Sequence, residues 1–296
     1  MVIATGFFDG VHLGHRFILR QLVEEARRRN DESMVVTFWP HPRNVLQDDA
    51  RNLRLLTSME EKKALIRSIG VDHIEVIPFT KEFCRLSAEE YLRDYIVGKF
   101  GGKAILVGYD NRIGSDQCTP EQTAEIARRL GLDVIRPESF VSDAGIVISS
   151  TKIRNSLQTG EIEEADSMLG YQYQLYGVVV SGNRLGHTIG FPTANMQLYE
   201  PLKLIPGNGV YLVKVETLGR VYDGMCNIGV RPTLGSGNAL TVETNIFDFN
   251  EDIYGLDIRI SFVSKIRNEV KFNDFSVLAS QLEKDRAHCR ILLREK

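Results

Sequence analysis

The sequence has few cysteines, little net charge and no long apolar run, and each shortage excludes a class of protein. Its four cysteines, Cys84, Cys118, Cys226 and Cys289, are far apart, which argues against a disulfide scaffold or a zinc ribbon. The net charge is only -3 and no basic block alternates with aromatic residues, so nucleic acid is not an expected partner. No run of about 18 apolar residues and no signal-peptide pattern is present. We therefore expect a soluble, cytoplasmic protein without a membrane partner.

Two different patterns divide the chain. A length of 296 residues exceeds most single hydrophobic cores, so we expect two domains, at 1–170 with its joining helices and at 171–296. The first half alternates apolar strand runs with amphipathic helices, which predicts a doubly wound α/β domain with a parallel sheet. In the second half, glycine, proline and asparagine separate strand-like runs, which predicts an antiparallel barrel or sandwich. A terminal helix is predicted at 274–294, with Phe275 and Ile291 among the residues available for a buried stripe.

The stretch GFFDGVHLGHR, residues 6–16, places His12 and His15 just after the predicted strand VIAT. Open parallel sheets bind ligands at this carboxyl edge, and residues three apart at a helix start share one side. Backbone N–H groups and the helix dipole there favour an anion such as phosphate. A metal site would need further ligands, and a purely structural histidine pair is the remaining alternative. The glycine spacing matches neither the Walker loop nor the dinucleotide-binding pattern.

A second anion site is predicted in GIVISSTKIR, residues 145–154. An apolar strand run ends there in hydroxyl residues that include Ser150 and Thr151, and Arg154 follows inside the next helical pattern. Hydroxyls at a helix start followed by cations can hold a phosphate, although the same residues can simply cap the helix.

Together the two stretches resemble one family. GFFDGVHLGH and ISSTKIR are similar to the FDGxHxGH and ISSTxIR motifs in the nucleotidyltransferase half of bacterial bifunctional riboflavin kinase/FAD synthetases. The resemblance implies a Rossmann-like domain in which the phosphate of FMN attacks the α-phosphate of ATP and expels pyrophosphate. Because this nucleophile is already an anion, positioning and charge neutralisation take the place of a general base. The residues that the resemblance assigns to this site are the catalytic His12, His15 and Arg154 and the ATP-binding Gly6, Phe7, Asp9, Asp110, Ser150 and Thr151.

This half departs from the family pattern at one place. The family reads close to VGxDFRFG, whereas this chain has Asn111 and Ile113 at the two phenylalanine positions. An alternative function is therefore open, in which the chain phosphorylates riboflavin while its first domain adenylylates poorly or uses another nucleotide.

In the second half, GNRLGHTIGFPTAN carries the strongest signal of the sequence. Its glycines, Gly182, Gly186 and Gly190, let the backbone close over a phosphate. Thr193 and Asn195 are two apart, so in an extended segment their oxygens face one side and suit a Mg²⁺ ion that keeps its waters. A glycine-rich hairpin with a capping threonine would have the same composition.

Three motifs of this half resemble the riboflavin kinase half of the same family, a barrel with a terminal helix. The chain has GHTIGFPTAN, NIGVRPT and VETNIFDF where the family has GxxxGFPTAN, NIGxRPT and VExxxxDF. The resemblance assigns Glu243 as the catalytic base for the terminal hydroxyl of riboflavin, which is a poor nucleophile at neutral pH. Arg267 and Phe272, in KIRNEVKF, are the candidate flavin contacts.

Both halves therefore predict one transferase that makes FMN from riboflavin and FAD from FMN, using ATP and Mg²⁺. Riboflavin, FMN and ATP are its expected small-molecule partners, the flavins being substrates and products. The chain is expected to be a monomer or to self-associate weakly. The alternative from another class is a flavin-binding protein without turnover, in which a positioned base such as Glu243 would have no use.

Overall fold

The computed structural model describes residues 1–41, 53–108, 111–138, 140, 148–182, 186, 190–233, 237–272 and 274–294. The chain divides into two compact units, Met1–Ser150 and Thr151–Lys296. The division at residues 170 and 171 that the sequence predicts stays a prediction.

The first unit is built on a five-stranded parallel sheet. Its strands are β1 (Val2–Thr5), β2 (Ser33–Trp39), β3 (His73–Pro78), β4 (Ala104–Leu106) and β5 (Asp133–Ile135). Its helices are α1 (Leu13–Arg28), α2 (Met59–Ser68), α3 (Ala88–Tyr91, continued as a π-helix by Leu92–Lys99) and α4 (Pro120–Arg129). The strand order is β3-β2-β1-β4-β5, so the winding reverses between β1 and β4. Ligands of such sheets bind at the carboxyl ends of the strands at this switch point.

Local sequence signals explain where these helices begin. Ser58 and Glu61 form a capping box at the start of α2, as their spacing predicts. Thr119 caps α4, and Pro120 takes the first helical position, where a missing N–H costs no hydrogen bond. The strands form because their apolar residues are buried on both faces of the sheet; all four residues of β1 are buried.

The second unit is a closed antiparallel barrel, which confirms the barrel that the sequence predicts. Its strands are β6 (Gln174–Val180), β7 (Ala194–Leu198), β8 (Gly209–Thr217), β9 (Arg220–Thr233), β10 (Gly237–Ile246) and β11 (Asp257–Arg267), in the order β10-β7-β6-β11-β8-β9. Helix α5 (Ser150–Thr159) leads into the unit, α6 (Ile162–Leu169) packs on β11, and α7 (Phe275–Leu292) ends it. The largest fully buried side chains of the barrel are those of Tyr173, Tyr211 and Phe262.

The burial of α7 differs from the predicted stripe. Phe275 and Ile291 are 60% and 54% exposed, so the expectation that they are buried is wrong. The residues of α7 that are buried are instead Asp285 and Cys289. The reason for a buried carboxylate is a cation on the barrel, described with the site below.

All four cysteines are free thiols, as their spacing predicts. Burial raises the pKa of Cys226 and of Cys289 to about 12, so both are unreactive thiols at neutral pH. In the described part of the chain, we find no helix with the length and apolar composition that a membrane span requires.

Candidate active sites

The predicted histidine pair lies at the end of β1, where the bend turns into α1. His12 is the N-cap residue of α1, and its Nδ1 accepts a hydrogen bond from the backbone N–H of His15 at 3.3 Å. The two imidazoles are stacked, with ring centroids 3.6 Å apart and planes 16° from parallel. Since Nδ1 of His12 is an acceptor, the proton of its neutral ring is on Nε2, which is then a donor.

His15 is a neutral group in this site. Burial lowers its pKa well below the ordinary value, and the neighbouring His12 and Lys62 lower it further because like charges repel. Its Nδ1 is buried and has no hydrogen-bond partner among the described residues. A buried ring nitrogen without a partner is costly unless a ligand supplies one.

The bend that carries the histidines is strained and held by its neighbours. Phe8 and Val11 are buried and have positive φ angles of 48° and 37°, which non-glycine residues seldom adopt. The N–H of Gly6 donates to Val36 O of β2 at 3.0 Å, so the bend continues the sheet. The centroid of the Phe7 ring is 5.1 Å from that of Phe38. Phe7 therefore packs against the hydrophobic core of the first unit, away from His12 and His15.

Asp9 ties the bend to the segment that precedes α2. Its carboxylate, 4% exposed, accepts hydrogen bonds from Leu56 N, Thr57 N and Thr57 Oγ1 at 3.1 to 3.2 Å. The hydroxyl of Thr57 also accepts from Gly10 N at 3.1 Å. Three hydrogen bonds to one buried carboxylate fix the position of both segments. The contacts we can assign to Asp9 are therefore structural.

The second predicted anion motif reaches the same bend through Ser150. Its hydroxyl donates to the carbonyl oxygen of Asp9 at 3.0 Å, at the first residue of α5. Thr151, which is exposed, and Arg154, which is half-buried, follow on that helix. Asp110 lies outside the described residues.

The departures from the family pattern near Asp110 have structural explanations. Asn111 Nδ2 donates to the carbonyl oxygen of Thr5, the last residue of β1, at 3.0 Å. Ile113 is 7% exposed and packs in the core of the first unit. Both side chains are used by the fold.

In the barrel, Glu243 and Asn195 lie directly opposite each other on the paired strands β10 and β7. Opposite residues of an antiparallel pair project to the same face, and their Cβ atoms are close. Thr193 precedes Asn195 by two residues, and all three side chains are half-buried. The side chain of Asn195 lies against Gly182, where a Cβ atom would come within 2.3 Å of Nδ2. Only glycine fits at that position without displacing Asn195.

A cavity of about 250 Å³ opens beside Glu243. Both predicted flavin contacts line it, and so do Gly186 of the glycine segment and several apolar residues of β8, β9 and α7: Val210, Met225, Leu278 and Leu282. Gly190 is exposed, has a φ of 80° and is not among the residues that line this cavity. A second cavity, of about 380 Å³, is lined by Thr193, Phe249, Asp252 and Tyr254. Thr193 lines both cavities.

Arg267 is held by the terminal helix. Its guanidinium donates to both carboxylate oxygens of Asp285 at 2.8 to 3.0 Å, and Gln281 donates to the same carboxylate at 2.8 Å. Arg267 also lies over the ring of Phe272, 5.8 Å from its centroid. The pair is a bidentate ion pair with a 3% exposed aspartate, so Arg267 joins α7 to the cavity wall.

The oxygen donors beside Glu243 fit a magnesium ion. Among the described residues no three histidine, cysteine or acidic side chains are grouped as a metal site. Mg²⁺ instead binds through few protein oxygens, keeps several waters and contacts substrate phosphates. A threonine hydroxyl and an asparagine oxygen facing a carboxylate suit that mode.

Comparisons with known proteins match the two halves of the chain to two different families. The FAD synthetase family matches residues 1–152, and the riboflavin kinase family matches residues 169–293. The chain belongs to the bifunctional riboflavin kinase/FMN adenylyltransferase family. A member from Listeria monocytogenes is 38% identical over 98% of this chain and 91% of its own length. A Bacillus subtilis member is 36% identical over 96% of this chain and 90% of its own length.

This chain also shares its fold with a solved structure. A crystal structure from Streptococcus pneumoniae, described as a macrolide-efflux protein, has a TM-score of 0.88 and 33% identity. The match covers 98% of this chain and 93% of the Streptococcus pneumoniae chain. The architecture described above therefore extends over both halves of a known crystal structure.

Sequence reasoning did not predict the contacts of three residues in these sites. Asn245 donates to Pro192 O at 2.7 Å and so holds the segment that carries Thr193 against β10. Lys62 is buried in α2 beside the histidines, and Asp285 is the partner of Arg267. Asp285 could have been identified from helical spacing, which places this single acidic residue near the apolar side of α7.

Proposed function

We propose that this chain phosphorylates riboflavin to FMN in its barrel and adenylylates FMN to FAD in its first unit. The observation that carries the proposal is that each half matches a different family and has its own set of residues suited to that family's reaction. Both steps consume ATP, and the product of the first is the substrate of the second.

In the adenylylation step the residues of the bend position and stabilise phosphate charge. The FMN phosphate forms a bond to the α-phosphorus of ATP, and the bond to the bridging oxygen breaks, so that pyrophosphate leaves with the electron pair. His12 donates from Nε2, and the neutral His15 donates without adding charge. Ser150, Thr151 and Arg154 complete the phosphate contacts from the start of α5, and Asp110 places the nucleotide.

In the kinase step Glu243 accepts the proton of the terminal hydroxyl of riboflavin as that oxygen attacks the γ-phosphate. A base for this proton needs to be within hydrogen-bond reach of the hydroxyl, and Glu243 lines the cavity of about 250 Å³. That cavity takes the flavin, against Phe272 and the apolar wall, with Arg267 fixing its edge. The cavity of about 380 Å³ takes the nucleotide.

Thr193 and Asn195 would hold a Mg²⁺ ion, and Gly182, Gly186 and Gly190 would let the backbone approach the phosphates closely. When bound, the ion neutralises charge on the transferred phosphoryl group. Asn195 is opposite Glu243, so the protein oxygens and the base lie on one face of the β7–β10 pair. This arrangement supports catalysis over flavin binding alone.

A second candidate function is a riboflavin kinase whose first unit adenylylates poorly. The observation that favours it is Asn111, which stands where the family has an aromatic residue. The side-chain amide of Asn111 is hydrogen-bonded to the end of β1.

The expected absence of nucleic-acid and membrane partners and the expected cytoplasmic location stay predictions.

The test is to incubate the chain with ATP and Mg²⁺ and either riboflavin or FMN, and to separate the flavins by chromatography. We expect FAD from both starting flavins. Glu243→Gln should stop FMN formation and leave FMN-to-FAD conversion intact, whereas His12→Asn should do the reverse. Glu216→Gln, at an exposed carboxylate paired with Arg259, is the control and should change neither step.

Accumulation of FMN without FAD would support the second candidate. Equal loss of both steps in Glu243→Gln, with the folded state retained, would contradict the division of the two reactions between the units.

A further inference from the structure

Lys62 is a buried lysine on helix α2. It lies one turn into α2, its residue is only 5% exposed, and its ammonium forms no hydrogen bond or ion pair with the residues that the structure describes. Lysines are almost never buried without a partner, because removing an ammonium from water costs several kcal/mol. Burial accordingly lowers the pKa of Lys62, an effect that the neighbouring Asp9 only partly opposes.

The fold places Lys62 at the histidine bend. Asp9 binds the N–H groups of Leu56 and Thr57, directly before the N-cap Ser58, so the first turn of α2 is fixed against the bend. Asp9 is close enough to interact with the ammonium of Lys62, but its oxygens already accept three hydrogen bonds from Leu56 and Thr57. A carboxylate used in this way compensates the buried ammonium only in part.

The second group that lacks a partner lies beside it. Lys62 is near enough to His15 to lower the pKa of that imidazole, and the buried Nδ1 of His15 also has no partner in the described structure. An ammonium has three donors and a ring nitrogen can donate one proton. An anion with several acceptor oxygens satisfies both groups at once, and a phosphate is such an anion.

We propose that Lys62 binds the β- and γ-phosphates of ATP in the adenylylation site and, with His15, stabilises the pyrophosphate that leaves. The inference rests on the proposed function for the identity of the nucleotide, but not for the anion. As the bond between the α-phosphorus and the bridging oxygen breaks, negative charge develops on pyrophosphate, and an ammonium in a site of low dielectric stabilises that charge. Anion binding also offsets the cost of burying the ammonium.

The experiment compares Lys62→Met and Lys62→Arg with Lys63→Met as a matched control. Lys63 is the adjacent residue, with an exposed pairing to Glu60 at 3.0 Å. The affinity for inorganic pyrophosphate is measured by calorimetry on the full chain, together with the rate of FMN adenylylation. Lys62→Met should weaken pyrophosphate binding about 10- to 100-fold, which is the value of a charge-assisted hydrogen bond. Lys62→Arg should retain most of it, and Lys63→Met all of it.

Riboflavin phosphorylation by the barrel should stay unchanged in every variant, because Lys62 lies in the other unit. A Lys62→Met chain that binds pyrophosphate as tightly as the unaltered protein would overturn the proposal. So would an equal loss in Lys63→Met. If the unaltered chain bound pyrophosphate but made no FAD, the proposed function would fail while the assignment of Lys62 stood.

A measurement on the unaltered protein decides the matter even where Lys62→Met does not fold. Acetylation by a limiting amount of acetic anhydride is followed at each lysine by mass spectrometry, with and without pyrophosphate. Bound pyrophosphate should slow acetylation of Lys62 about 10-fold and leave Lys63 unaffected. An unchanged rate at Lys62, at a pyrophosphate concentration that saturates the calorimetric titration, contradicts the proposal.

Discussion

Replacing Asp285 by alanine should destabilise the barrel unit strongly. The change removes three hydrogen bonds of 2.8 to 3.0 Å from the guanidinium of Arg267 and one from Gln281, and it leaves the cation without its carboxylate partner. Removing one partner of a buried ion pair costs about 3 to 5 kcal/mol, and here Asp285 is the buried partner while Arg267 is 20% exposed. In a unit of this size that corresponds to a fall in melting temperature of roughly 6 to 20 °C.

The assay is differential scanning calorimetry of the full chain. Glu283→Gln, which alters an exposed ion pair with Arg286 on the same helix, is the control and should cost less than about 1 kcal/mol. The double variant Arg267→Met with Asp285→Leu should recover much of the loss, because apolar residues of similar volume replace buried ion pairs at little cost. A loss in Asp285→Ala no greater than that in Glu283→Gln would refute the reasoning.

Two further predictions concern packing and thiol chemistry. Gly177→Ala should cost at least about 2 kcal/mol in thermal unfolding, because the new Cβ atom would lie 2.1 Å from the backbone oxygen of Gln197, and a wild-type melting temperature would contradict this. Iodoacetamide at pH 8 should alkylate the half-buried Cys84 long before Cys226 or Cys289. With a pKa of about 12, each of those two is thiolate to a fraction of only roughly 10⁻⁴ at that pH. Peptide mass spectrometry checks the order, and early labelling of either buried thiol would show that the barrel opens.

Most of the fold could be predicted because local signals and tertiary structure agree. The capping box at Ser58 and Glu61 marks a helix start in the sequence, and the structure has the helix there. The glycine-flanked histidines follow a buried strand, so the edge of a parallel sheet was the expected place for them. Strand β7 is hard to predict from sequence because it is short, polar in part and begins inside the PTAN motif.

The residues that sequence reasoning missed depend on contacts between distant segments. Nothing near Lys62 in the sequence distinguishes it from Lys63, yet one is 5% exposed and the other pairs with Glu60 at the surface. The helical pattern of α7 likewise predicts apolar burial, whereas the position of Arg267 makes Asp285 one of the two buried residues of the helix. Periodicity records which face of a helix is covered, and it does not record what covers it.

The hydrogen bonds of Asp9 also determine when the first site can form. This residue contacts groups 47 positions later, at Leu56, and 141 positions later, at Ser150. Closing loops of such length costs entropy that later contacts must offset, so we expect the bend to become ordered after the local helices and strands. During synthesis on the ribosome, β1 and α1 emerge first. The surroundings of His12 and His15 are complete only after nearly the whole first unit, up to Ser150, has been synthesised.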